Sequence, residues 1–433
     1  MTVVPRQVFH SRLTTVLTMI GVAVGLGNVW RFPYMMGRYG GSAFLLAYVA
    51  FVILFALPAL MAEWAFGRET RNGPLGAFQH TFGRAGSVVG AILLFTVLVA
   101  NSYYLVVVSN VTYTAAFSLV YGFDSANAGS YQAGLNNGGL QAAIAIAIIG
   151  TAMFVLTKGL NRGIERISKI FVPLFGIIVT YLIVSSLALP GAVSALGSFL
   201  RPDVSQLNGT SIFAAMGQAF FSLSLGGTFY VIYGSYLRES ETIPKPAALT
   251  AMGDVGAALL ASLFIVPTTL VFGIDMSTGP QLIFETLPEL FRQIPGGRVL
   301  GTLFLVGLGL VAYLSSVAAF QVLAGALTDS FSLPILKAVV IVATAETVLM
   351  VPTAMNPALI GPLDLVFGSG MQVLGSGLTL VALTWGLGRA TTLKQIFPDS
   401  RTWVSSVYYH WVKWVVPAVL LVILAGYVVQ SLG

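Results

Sequence analysis

The groups in this chain that could do chemistry are few, and they gather at breaks in apolar segments. Between Gly21 and Pro33 the sequence reads Gly-Val-Ala-Val-Gly-Leu-Gly-Asn-Val-Trp-Arg-Phe-Pro, inside the first long apolar stretch. Glycine is the poorest ordinary helix former and proline ends a helix from within, so an unbroken helix is not expected there. A break at membrane depth leaves amides and carbonyls unpaired, which is tolerated only where they line a cavity or bind something. The stretch Phe220-Phe-Ser-Leu-Ser-Leu-Gly-Gly-Thr228 interrupts a later apolar segment in the same way, with hydroxyls and a glycine pair. Asp254 lies inside the next apolar segment, where an isolated carboxylate is costly and is normally paired or protonated. A kinked helix packed through small residues would explain the glycines alone. It gives no reason for Asn28 and Arg31, since ionisable groups near membrane depth are by default site candidates.

These groups support ligation, not catalysis. Half-helix amino ends present free N–H groups and positive dipole character to an anion. Half-helix carboxyl ends and unwound carbonyls suit a hard cation such as Na⁺. No catalytic pair and no phosphate-binding loop is visible, and His10, His80 and His410 are too scattered to hold a metal. The chain has no cysteine, which excludes disulfides and thiolate metal sites.

The elements that must position these groups are membrane helices. Of 433 residues, 57% are hydrophobic and 8% charged, with a mean hydropathy of +0.89. A soluble domain cannot hide that much apolar surface. Eleven segments reach the ~20 apolar residues that span a bilayer, at roughly 13–37, 41–67, 87–121, 139–157, 165–190, 211–237, 245–274, 299–328, 332–351, 358–387 and 408–432. The net charge of +6 does not indicate nucleic acid, because the basic residues sit in short loops between spans. With the amino terminus inside, 16 of the 21 basic residues are cytoplasmic; Arg31, Arg38, Arg201, Arg292 and Arg298 are outside. An odd number of spans then places the carboxyl terminus outside. Met1 to Ser11 lacks the pattern of a cleaved signal, so the first span is expected to stay. The loop 122–138 is polar and outside, and Gln281 to Gln293 has the apolar spacing of a re-entrant or surface helix.

The two breaks fall in spans one and six, five apart, as corresponding members of two five-span repeats would be. Interrupted segments in matching halves point to a transporter binding site. At these residues the chain resembles the neurotransmitter:sodium symporters, of LeuT-type fold. The first-span string carries the resemblance, with Gly40-Gly-Ser-Ala-Phe44, Glu63-Trp-Ala-Phe-Gly-Arg68, Gly217-Gln-Ala-Phe-Phe-Ser222, Tyr103-Tyr104 and Ser315-Ser316. It covers spans one to eleven; the twelfth span of many members is missing. It implies an all-α polytopic membrane protein, one transporter domain over 1–433. Repeat one would run about 13–190, repeat two about 211–387, and span eleven about 408–432.

The resemblance assigns roles. A substrate carboxylate would meet the amides around Leu26 and Gly27 and the Tyr104 hydroxyl. A substrate amine would meet carbonyls near Ala23, Phe221 and Ser224. Gly25 stands where monoamine carriers of the family place an Asp, which points to a substrate with its own carboxylate, an amino acid. The side-chain pocket would be formed by Ala100, Gly227, Thr228 and Ala319, and their small size favours a bulky hydrophobic or aromatic substrate over glycine or alanine. A first sodium site would use Ala23, Asn28, Ser222 and Asp254. A second would use Gly21, Val24, Val311 and Ser315, but Leu314 stands where relatives usually offer a second side-chain oxygen, so sodium there should be weak or absent. Chloride-dependent relatives bind Cl⁻ with counterparts of Tyr48, Gln218, Ser222 and a span-seven Ser. That Ser is Ala258 here, and Asp254, one turn earlier on the same face, is expected to ligate Na⁺ and supply the negative charge itself. The competing expectation is that Asp254 turns to Lys245 or solvent at the inner end of its span.

Arg31 and Asp364 are expected to pair as an outer gate above Phe221 and Tyr104, and Arg6 with Asp329 as an inner gate with Phe9 nearby. Glu63 is read as structural, bonded to backbone near the inner end of span two; Glu346 has no assigned role. In span five, Gly163 and Pro173 mark either a helix that unwinds to release inner sodium or a simple proline kink. The whole reads as a secondary transporter coupling Na⁺ entry to amino-acid uptake by alternating access in a bacterial inner membrane, independent of chloride. It is not an enzyme. Its partners are the amino acid and the lipid bilayer, and no oligomeric state is assigned. The other readings are a sodium-coupled carrier of small or modified amino acids, or a channel or receptor-like protein. A channel would need a continuous polar pore.

Overall fold

The computed structural model describes residues 8–432 apart from 202, 275, 277–281, 295 and 399–402. Among the described residues, nine helices are long and apolar enough to cross a membrane: Ser42–Thr70, Pro74–Val120, Gly138–Thr157, Leu160–Leu187, Pro244–Val271, Gly297–Phe331, Ile335–Met355, Pro357–Ile396 and Trp403–Gly426. A tenth is the bent pair Leu13–Ala23 and Gly27–Arg38, whose halves meet at 60°. The expected sixth span is Gly209–Ser222 and Phe229–Gly234, with residues 223–228 outside regular helix. The eleven expected segments are thus all helical, and the two expected interruptions are the two broken ones.

Local chemistry starts the helices where the sequence places them. Ser11 caps the first span through a reciprocal bond with Thr14. The side chains of Asn137 and Asn208 accept from Leu140 N at 3.0 Å and Ser211 N at 2.9 Å. Pro74 and Pro244 occupy first turns, where the missing N–H has no partner to lose. Gly83 bends the third span near its start with φ +61°, a left-handed conformation that a side chain resists, with nothing within 4 Å of where a Cβ would be.

Some expectations are corrected. Proline does not end the first span: the chain leaves helix at Val24, which is extended, and a wide turn over Gly27–Arg31 leads into a regular turn with Pro33 near its start. The wide turn asks for no hydrogen bond from Pro33, so the ring is accommodated. Between the spans, Leu287–Gln293 is helical as its spacing predicts, but Ala128–Leu135 and Ala192–Phe199 are short helices in stretches read as connections. In span five, both Gly163 and Pro173 lie within helical turns, Leu160–Ile164 and Glu165–Leu187.

The Glu63-to-Arg68 motif shows how one helix holds a break. Glu63 Oε1 accepts from Gly226 N at 3.1 Å, so its backbone partner lies in the sixth-span interruption. A Cβ on Gly67 would fall 1.9 Å from the Val231 carbonyl oxygen, and one on Gly234 2.6 Å from that of Trp64. The second span and the Phe229–Gly234 half of the sixth therefore touch backbone to backbone, a contact only glycine permits. Arg68 then closes this end of the second span on the carbonyls of Glu241 and Gln395.

Candidate functional site

The two interruptions open into one cavity of about 120 Å³. Ala23, Gly25, Leu26, Gly27, Asn28, Ala100, Tyr104, Phe221, Ser222, Ser224, Ser315 and Ala319 all line it. Twelve residues singled out from sequence are thus brought together from spans one, three, six and eight. The first break is bare where it must be. A Cβ on Gly25 would stand 3.0 Å from Ser315 Oγ and 3.4 Å from the Tyr104 hydroxyl, and one on Gly27 2.9 Å from the Phe221 ring. Two hydroxyls and a ring thus approach backbone that any side chain would cover.

On one side of the break lies a buried polar cluster. Asn28 Nδ2 donates to Asp254 Oδ1 at 2.6 Å and to Ser222 Oγ at 3.0 Å, and Ser222 Oγ donates to Asp254 Oδ2 at 2.8 Å. The Tyr48 hydroxyl adds a longer bond to Oδ2 at 3.4 Å, and Asn28 Oδ1 accepts from Gly25 N at 3.0 Å. Asp254 is fully buried and faces Asn28 and Ser222, not Lys245 or the inner solvent. The donor set is hard oxygen from carboxylate, hydroxyl and amide, the kind that holds an alkali cation. Ala258 is buried, and Gln218, also buried, reaches Gly27 O at 3.5 Å.

On the other side the polar groups are sparse. Ser315 Oγ donates to the carbonyls of Val24 and Val311, both at 3.3 Å. Leu314 packs its Cδ1 3.1 Å from where a Gly21 Cβ would be. Gly21, Val24, Val311 and Ser315 are therefore neighbours, with a leucine among them.

Other expected positions do not make the contacts expected of them, although Asp364 also lines the cavity. Gly227 and Thr228 do not line the cavity. Gly227 has φ +70°, and a Cβ there would lie 2.3 Å from Thr379 Oγ1 and 2.6 Å from the Gly375 carbonyl. Its bareness makes room for the tenth span, not for a ligand, and Phe229 presents a ring to the cavity instead. Arg31 and Asp364 make no ion pair. The Arg31 guanidinium lies over the Phe221 ring at 4.0 Å, and Asp364 Oδ1 accepts from the Tyr103 hydroxyl at 3.0 Å. A Cβ on Gly368 would collide with both Tyr103 and Asp364, so this glycine permits their bond. Asp329 accepts from Gly73 N at 3.3 Å, while Arg6 lies outside the described residues. Phe9 is buried between Tyr233 and Tyr236, with ring centroids 6.3 Å away in each case. Sequence reading missed Val97, Asn101, Phe229, Gly368 and Gln372 on the cavity wall. Val97 and Asn101 could have been found, since 97, 100, 101 and 104 form one helical stripe with the residues already named.

The model of the sodium:neurotransmitter symporter family matches residues 6–127 and 111–432. The uncharacterized sodium-dependent transporter YhdH of Bacillus subtilis is 34% identical over 75% of this chain and 70% of its own length. An uncharacterized sodium-dependent transporter of Haemophilus influenzae is 29% identical over 96% of this chain and 97% of its own. The crystal structure of MhsT in complex with L-phenylalanine superposes with a TM-score of 0.87 at 27% identity, over 98% of this chain and all of that one. The fold is the LeuT type expected, two inverted five-helix repeats followed by one further helix. The chain belongs to the sodium:neurotransmitter symporter family and is a sodium-dependent transporter, not an enzyme.

Proposed function

We propose that this protein couples Na⁺ entry to uptake of an amino acid with a bulky hydrophobic or aromatic side chain, by alternating access and without chloride. The observation that carries this reading is the buried Asp254 carboxylate, joined to Asn28 and Ser222 on the wall of a cavity between two broken helices. A carboxylate there supplies both a ligand for Na⁺ and the fixed negative charge that balances it. Ala23, Asn28, Ser222 and Asp254 hold the first sodium. The second falls to the carbonyls of Gly21, Val24 and Val311 with the Ser315 hydroxyl.

The substrate carboxylate goes to the amides of Leu26 and Gly27 and the Tyr104 hydroxyl, where positive half-helix dipole is aimed. Gly25 leaves that carboxylate room. Its amine goes to the carbonyls near Ala23, Phe221 and Ser224. Its side chain lies against Ala100, Ala319, Phe221 and Phe229, an apolar wall in which each further buried CH₂ contributes ~0.8 kcal/mol. MhsT, solved with L-phenylalanine, supports this substrate class. Phe221 under Arg31, and Asp364 on Tyr103, cover the outer side; Arg6 and Asp329 serve the inner side. The repeats run about 13–190 and 211–387 within a single domain, in a bacterial inner membrane with the amino terminus cytoplasmic and the carboxyl terminus outside.

Coupling follows from linkage: sodium must bind the substrate-competent state better than the others, or it shifts nothing. The test is uptake of labelled L-phenylalanine by the purified protein in proteoliposomes, with an inward sodium gradient and chloride or gluconate as anion. Saturable uptake that needs sodium and ignores the anion is expected. Uptake that needs chloride would remove Asp254 from its proposed role, and strongest competition by glycine would remove the bulky-substrate reading.

A further inference from the structure

Four carboxylates are buried among the described residues: Glu63, Glu165, Asp254 and Glu346. Glu63 holds the sixth-span break, Glu165 accepts from His10 N at 2.9 Å, and Asp254 belongs to the polar cluster. Glu346, on Ile335–Met355, accepts from Asn101 Nδ2 at 3.0 Å, across the contact between its helix and Pro74–Val120. Its second oxygen is buried with no partner. A carboxylate is a costly group to bury for the sake of one amide, unless the amide's orientation matters.

Asn101 is 4% exposed, and what it exposes faces the cavity, between Ala100 and Tyr104. An amide is planar, with its nitrogen and oxygen on opposite sides, and the hydrogen-bond network decides which end points where. Here the nitrogen is committed to Glu346, so the end turned from Glu346 is the carbonyl Oδ1. Val97, Ala100 and Ala319 around it are apolar. Of the other amides lining the cavity, Asn28 has its Oδ1 engaged by Gly25 N, and Gln372 has its Oε1 buried away from the open space.

We propose that Asn101, oriented by Glu346, is a specificity-determining residue: it presents one carbonyl acceptor to the side-chain end of the cavity and selects amino acids whose side chain ends in an N–H or O–H donor. This rests on the amino-acid transport reading above. Asn101 is the group that touches substrate, and Glu346 is a positioning residue acting through it. An acceptor set among apolar neighbours discriminates by penalty, because a hydrocarbon side chain desolvates the carbonyl without replacing its bond. Phenol and indole side chains combine the flat apolar body that Phe221 and Phe229 favour with one such donor.

The experiment is equilibrium binding to the purified full-length protein in sodium, using two isosteric pairs: L-tyrosine against 4-methyl-L-phenylalanine, and L-tryptophan against 1-methyl-L-tryptophan. At least one donor-bearing member is expected to bind about tenfold tighter than its methylated partner, roughly 1.4 kcal/mol. In the double variant Asn101→Leu with Glu346→Met, which removes both halves of the polar pair together, that ratio should fall below about threefold, with the methylated ligand gaining on its donor-bearing partner because no carbonyl is left to desolvate. Glu346→Gln, which can bond either end of the Asn101 amide, should shrink the ratio chiefly by weakening the donor-bearing ligand; a purely structural role would lower all affinities together and keep the ratio. Ratios near one in the native protein, with binding still sodium-dependent, would overturn the inference and leave the transport reading standing; so would a ratio that persists in the double variant. Should a variant fail to fold, the native ratios decide alone. Absence of sodium-dependent binding by any of the four would count against the transport reading, and the inference would go with it.

Discussion

Two polar clusters flank the first-span break, and they are built on opposite principles. Around Asp254, each side chain is bonded to another member: Asn28 to Ser222 and Asp254, Ser222 to Asp254, Tyr48 to both Ser222 and Asp254. The cluster is held by contacts between residues as far apart as 28 and 254, and it contains a carboxyl group. Around Ser315 there is one hydroxyl, two carbonyls at 3.3 Å and a leucine, with no formal charge at all. The first cluster is organised by its own bonds before any cation arrives. The second offers a cation mostly backbone, and nothing in it would be left uncompensated if the cation were missing. Ion affinity in this molecule should therefore be concentrated on one side of the break.

The largest effect should come from breaking the charged side. Asp254→Asn keeps size and most hydrogen bonding but removes the charge. An attraction of roughly 4 kcal/mol at 4 Å and an effective dielectric of 20 is at stake. The sodium concentration giving half-maximal substrate binding should rise by about a hundredfold or more, or sodium-dependent binding should vanish, in a sodium titration of the purified protein. Unaltered sodium dependence would take Asp254 out of the ion site. The same comparison predicts that the native protein shows no change in that titration when chloride is replaced by gluconate, since the fixed charge is already present.

A middle-sized effect should separate the two sides. Gly25 belongs to both: its N–H bonds Asn28 Oδ1, while its open face meets Ser315 and Tyr104. In Gly25→Ala the backbone bond to Asn28 survives, and the new methyl intrudes at 3.0 Å on Ser315 and 3.4 Å on Tyr104. Substrate affinity should fall by about tenfold, the scale of 1.4 kcal/mol, by competition binding. Half-maximal sodium at saturating substrate should move much less. A variant that loses sodium affinity as strongly as Asp254→Asn would mean that the two clusters do not act separately.

The same contrast explains what the sequence made legible. Breaks announce themselves locally, because glycines, Asn28 and hydroxyl pairs in an apolar run contradict helix propensity within a few residues. A carboxylate at membrane depth stands out for the same reason. What sequence does not display is which neighbour across the bundle a group meets. Glu63 could be read as structural, yet its partner, Gly226, lies 163 residues away. Glu346 and Asn101 are 245 apart, and neither position carries a local sign of the other. Arg31 and Asp364 were a reasonable pair by charge, but aromatic groups intervene and each takes one: Arg31 the Phe221 face, Asp364 the Tyr103 hydroxyl. Gly227 was misassigned because smallness has two meanings. At Gly25 and Gly27 the missing Cβ faces the cavity wall, whereas at Gly227 it faces Gly375 and Thr379. The spacing of glycines cannot tell these apart; only the packing of the tenth span against the sixth does.

The smallest effect should come from repairing the neutral side. Leu314 is 4% exposed and packs against Gly21, so its methyls occupy the space where a side-chain oxygen would complete the set of Ser315, Val24 and Val311. Leu314→Thr shortens the side chain and places a hydroxyl on its β-carbon. The added oxygen supplies one neutral ligand, and a neutral ligand in a site that already has carbonyls contributes far less than a charge. Against that gain stands the lost burial, about 1 kcal/mol or more for a shortened core side chain. The variant should therefore melt somewhat lower in the absence of sodium, yet bind sodium about threefold more tightly and show a steeper sodium dependence of substrate binding. A lowered melting temperature with no gain in sodium affinity would mean that this cluster is packing alone. A gain matching the loss in Asp254→Asn would mean that the difference between the two sides lies in ligand number and not in charge.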